Sequence, residues 1–171
     1  MNKIIKRLEI STITITLILV SVFLLACTSE NKAKTPDEQV WDIGLEIYEG
    51  LKNKDKEKIK SVFSENELMN HSRKIDNKID EVFDFINGEI VTYKEVNGSC
   101  GGGKARDGEW IEESFVGYIY GIKTDTGREY TISYGGYLVD KDDTDNIGVS
   151  SFRITEKQPD SNESIFVGTV D

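Results

Sequence analysis

The residues with chemical potential fall in a few short stretches. Gly98-Ser99-Cys100-Gly101-Gly102-Gly103-Lys104 has the G-x-x-x-x-G-K spacing that cradles phosphates in a P-loop. Ala105 follows, so the hydroxyl that would hold Mg²⁺ is missing. Arg106-Asp107-Gly108 and a strand-like pattern come next, so there is no helix N-terminus to receive a phosphate. A glycine-rich hairpin loop is expected there instead. Cys100 lies close in sequence to Lys104 and Arg106, cations of the kind that depress a thiol pKa, but no base or second thiol accompanies it. His71 is the sole histidine and stands among Asn70, Ser72 and Arg73. It reads as a solvent-facing or capping residue at the start of a helix. Asp140, Asp142, Asp143 and Asp145 crowd one segment. An EF-hand register from Asp140 would put Asp145 where glycine is needed and Ser151 where glutamate is needed, so a solvated loop is expected. No metal site, cofactor motif or catalytic residue is expected. The candidate ligand-binding residues are Tyr118, Tyr120, Tyr130 and Tyr134, crowded with Tyr137 on two neighbouring strands. Their aromatic bodies and hydroxyl tips suit a pocket or a contact surface.

The elements that must position these residues follow from periodicity. Thr35-Pro36-Asp37-Glu38 combines an N-cap, proline at N1 and a capping-box glutamate. Val40, Ile43, Ile47 and Leu51 then recur at helical spacing, which predicts a helix over 36–52. Gly44 within it would allow close packing. A short helix from Asp55 carries Ile59, Val62 and Phe63; residues 64–68 read as a break or a short helical turn, and a third helix spans 71–87. After Gly88 the period changes to two. Strands are expected over 89–96, 110–123, 129–139 and 147–155, with a turn at Asp125-Thr126-Gly127 and a bulge at Gly135-Gly136. Residues 156–171 read as a mostly irregular polar tail. The expected class is α+β: N-terminal helices packed on a curved four-stranded antiparallel sheet, with Trp41, Ile47, Phe83 and Phe115 as candidates to fill the hollow.

The segment before this domain has its own logic. Lys3, Lys6 and Arg7 precede an apolar run that ends in Leu24-Leu25-Ala26-Cys27. This resembles a bacterial lipoprotein signal, with cleavage between Ala26 and Cys27 and lipid attached to Cys27. The resemblance implies a signal peptide over 1–26, a lipidated tether over 27–34 and a domain over 35–155 on the extracytoplasmic face of the cell membrane. Two acyl chains suffice for stable anchoring where one does not. With Cys27 so used, Cys100 has no disulfide partner.

The chain has 171 residues and a net charge of −10. Removing residues 1–26 takes away three basic residues (Lys3, Lys6, Arg7) and one acidic (Glu9), leaving 18 basic and 30 acidic, a net of −12. Such a surface repels nucleic acid, which is excluded as a partner. The run Asp55–Leu68, the run Asp80–Gly88 and the run Asp145–Val149 resemble segments of uncharacterised Gram-positive lipoproteins with a nuclear transport factor 2-like domain. That resemblance implies helices in the hollow of a bent sheet, and related folds often pair through the sheet, so a homodimer is among the expected partners. Fold alone does not choose a function. The expectation is a non-catalytic module that binds a small molecule or a surface protein. The alternative is a ketosteroid isomerase-like enzyme, which would need a carboxylate base beside a tyrosine hydroxyl in an apolar pocket.

Overall fold

Helix α1, Pro36–Asn53, starts at the capping box written in its sequence. Thr35 N donates to Glu38 Oε2 at 2.7 Å, and Glu38 N donates to Thr35 Oγ1 at 3.3 Å. The computed structural model describes residues 33–157 and 163–169. The expected signal peptide 1–26, the expected Ala26–Cys27 cleavage site, the expected lipidation of Cys27 and most of the expected tether lie outside the described residues. Helix α2, Lys56–Lys60, is capped by Asp55. Helix α3 spans Glu65–Phe85 and begins six residues before the expected position. Its N-cap is Ser64, whose hydroxyl accepts from Glu67 N at 3.3 Å. Of the two readings of residues 64–68, the helical turn holds: it is the first turn of α3, and the S-x-x-E signature is its signal.

Six strands follow, all paired antiparallel, where four were expected. β1 (Ile90–Thr92) and β2 (Glu95–Arg106) share one edge of β3 (Glu109–Thr124); β4 (Glu129–Asp140), β5 (Gly148–Glu156) and β6 (Ser164–Gly168) continue the sheet. Two corrections account for the difference. The glycine-rich stretch is not a loop: it belongs to β2, pairing with β3 through Gly98–Gly117, Cys100–Phe115 and Lys104–Glu112. Sheet pairing overrides the low strand propensity of glycine. The turn lies beyond it at Asp107-Gly108, where both φ angles are positive (54° and 83°), as a two-residue primed turn requires. The tail is not wholly irregular either. β6 pairs with β5 from Ser164–Thr155 to Gly168–Ser151, and Val167 is fully buried. The Gly135-Gly136 bulge is present, with a register shift between β4 and β5.

Helix α1 packs against β2 and β3, and α3 against β5 and β6. Between the helices and the sheet lie Val40, Ile47, Ile75, Ile79, Ile119, Ile132 and Ile154, all without solvent exposure. Ile47 and Phe115 fill this core as expected, and Phe83 packs at its margin. Trp41 does not: it is 50% exposed, because it lies off the buried stripe of Val40, Gly44, Ile47 and Leu51. Among the described residues no helix is long and apolar enough to cross a membrane.

Candidate functional site on the outward sheet face

Strand alternation divides the four candidate tyrosines into two pairs with opposite fates. Tyr130 and Tyr134 point inward and are at most 2% exposed. Tyr134 Oη donates to the Val40 carbonyl at 2.9 Å. Its ring fits where two glycines lack side chains: a Cβ at Gly44 would lie 2.3 Å from Tyr134 Oη, and one at Gly117 would lie 2.2 Å from Tyr134 Cζ. Gly44 thus opens the helix backbone to the hydroxyl. Burial pushes the Tyr134 hydroxyl pKa strongly upward. Tyr130 Oη accepts from Asn87 N at 2.9 Å and lies 3.4 Å from the Phe85 carbonyl. Both inner hydroxyls are therefore engaged by backbone.

Tyr118 and Tyr120 point outward and stack on each other, with centroids 5.5 Å apart and planes 11° apart. The register carries one row across five strands, Asn97–Tyr118–Ser133–Arg153–Phe166, and beside it another, Ser99–Val116–Gly135–Ser151–Gly168. These rows enclose an open depression of about 300 Å³. Its walls are Tyr118 and Val116 on one side and Arg153 and Phe166 on the other; Ser133, Gly135 and Ser151 line it between them. The small residues make the hollow, because taller side chains flank them on both sides. The Arg153 guanidinium lies 5.7 Å from the Phe166 ring centroid, a cation–π contact. Among the described residues no carboxylate pairs with Arg153, and the side chains of Tyr118, Ser133 and Ser151 make no hydrogen bond. Sequence reasoning identified Tyr118 and Tyr120 but missed Phe166, which lies in the segment read as tail, and Arg153, which lies in the expected strand 147–155 but shows its place only beside Phe166.

A second concavity, about 460 Å³, lies beside the start of α3 and includes His71, Glu67, Tyr137 and Asp140. His71 sits in the second turn of α3, half-buried, rather than at the helix start. The acids here hold structure together. Asp140 accepts from Asn146 Nδ2 at 3.0 Å and from the backbone N–H groups of Asp143 (2.9 Å) and Asp142 (3.1 Å). Those bonds, the Asn146 amide first, keep its carboxyl below the usual range. Glu112 pairs with Lys104 at 2.6 Å, and Glu67 accepts from Thr169. Among the described residues no cluster of three His, Cys, Asp or Glu is placed to hold a metal. Cys100 is half-buried, and burial raises its thiol pKa, with Glu113 and Asp37 adding to the effect. The nearby cations do not activate it.

Fold and site together define an α+β domain whose helices cover one face of an antiparallel sheet and whose other face is open and aromatic. Residues 46–157 match the family described as Domain of unknown function (DUF5104), and the chain belongs to it. The matched segment includes Tyr118, Ser133, Ser151 and Arg153 and stops before β6, which supplies Phe166. No curated protein matches the chain.

Proposed function

We propose that this protein is a lipid-anchored, extracytoplasmic binding module that engages its ligand on the outward face of a nuclear transport factor 2-like domain. The observation that carries the reading is the open depression between Tyr118 and Phe166, whose side-chain hydroxyls and guanidinium make no hydrogen bond or ion pair among the described residues. Tyr118, Ser133, Ser151 and Arg153 converge on this hollow from three neighbouring strands, and a few polar groups around a concave aromatic surface suit a small ligand. The order of helices followed by long, bulged antiparallel strands supports the fold reading. The lipobox-like Leu24-Leu25-Ala26-Cys27 supports the anchor.

The isomerase reading draws less support. Its tyrosine would have to point into an enclosed apolar pocket, and the inward hydroxyls of Tyr130 and Tyr134 are held by backbone groups.

The test fills the hollow. Ser133→Trp puts a large side chain between the two walls, on the outward face of the sheet. The full chain, purified from its own membranes in mild detergent, is expected to carry a small-molecule adduct in native mass spectrometry. Ser133→Trp is expected to lack the adduct while melting at the same temperature. An adduct of equal abundance in both proteins would contradict the reading.

A further inference from the structure

From the chemistry of the walls we infer that the outward depression is a subsite for an acidic sugar: a pyranose ring bearing a carboxylate or a phosphate. The inference rests on the outward face being the binding surface and adds the class of ligand. Three independent features specify it. Arg153 is a cation with no carboxylate partner among the described residues, on a strongly acidic chain; Glu95, level with Tyr120 on the far edge, lies three strands away, roughly 14 Å at the usual strand spacing. A guanidinium at the rim of a hollow, with no carboxylate partner among the described residues, can receive an anion, and its planar fork suits a carboxylate or phosphate. The Phe166 ring, on the neighbouring strand, lies within cation–π distance of the guanidinium. Ser133 and Ser151 offer hydroxyls that both donate and accept, which fits the hydroxyl groups of a sugar rather than a bare aromatic acid. Tyr118 supplies an aromatic wall, whose negative face attracts the C–H edge of a pyranose. Tyr120 does not line the hollow but stacks behind Tyr118, and so acts as a positioning residue for that wall.

The full chain in detergent micelles, titrated with D-glucuronate and separately with D-glucose 6-phosphate, tests this. Both probes are expected to shift backbone amide resonances of residues 131–135 and 151–153, with D-glucose and inorganic phosphate each at least about tenfold weaker. Arg153→Gln is expected to weaken the acidic sugars about tenfold and leave D-glucose unchanged. Tyr118→Ala is expected to weaken both acidic and neutral sugars, and Tyr118→Phe to restore them. A preference for glucuronate or for glucose 6-phosphate separates the two sources of the anion. Inorganic phosphate matching the sugars would overturn the proposal, as would binding of glucuronate that Arg153→Gln leaves intact. So would a dimer that buries this face and excludes both probes. If neither probe binds but the native adduct is still lost in Ser133→Trp, the ligand class is wrong and the binding surface stands; if the adduct is also unaffected by that substitution, both fail.

Discussion

Tyr134 is where helix and sheet are joined, and its environment gives a direct test of the packing. Its hydroxyl donates to the Val40 carbonyl, so Tyr134→Phe is expected to cost about 1 kcal/mol. Gly44→Ala drives a Cβ into the same hydroxyl and is expected to cost roughly 1–3 kcal/mol as an overpacked site. The two changes share an atom, so the double variant should recover part of the sum; strict additivity in denaturant midpoints would show that the contact is absent. Asp140 gives a pH test. Its carboxyl titrates lower folded than unfolded, so its stabilisation is full above the unfolded value near 4 and is lost as pH falls through the lower folded value. Amide exchange at Thr144–Asn146 is expected to accelerate in that acid range, whereas Asp140→Asn should exchange fast already at pH 7. The two-residue period of a strand puts Tyr118 and Tyr120 on one face, and likewise Tyr130 and Tyr134, from the sequence alone. Which pair faces inward was not legible there, because that depends on where Gly44 and Gly117 leave room.

The elements were legible where local chemistry and tertiary demand agree. Helix α1 carries cap, proline and apolar stripe together, and it forms as read. Two elements were misread for opposite reasons. In β2 the glycines signal a turn, but pairing with β3 keeps them extended, and the real turn is the humbler Asp107-Gly108. In β6 a short apolar patch gives too little periodicity to declare a strand, yet its partner β5 makes it one. This second misreading concealed half the site, since Phe166 forms the far wall with Arg153.

At the scale of the whole molecule the net charge bears on the proposed anchor. On the proposed anchor, an acidic domain would be repelled from anionic headgroups, which would keep its faces away from the bilayer surface. Cys27→Ser is expected to move the protein from the membrane fraction to the medium or leave it as unprocessed precursor, read by fractionation and intact mass; a processed, membrane-bound variant would contradict the anchor. The central claim is that the outward sheet face is occupied where the protein works. Hydroxyl-radical footprinting in intact cells, compared with the purified full chain, reads this directly. Tyr118 and Tyr120 are 36% and 37% exposed and Trp41 on the helical side is 50% exposed, so all three label in the isolated protein. In cells, labelling of Tyr118 and Tyr120 is expected to fall several-fold relative to Trp41. Equal relative labelling of the three residues in both settings would contradict the account.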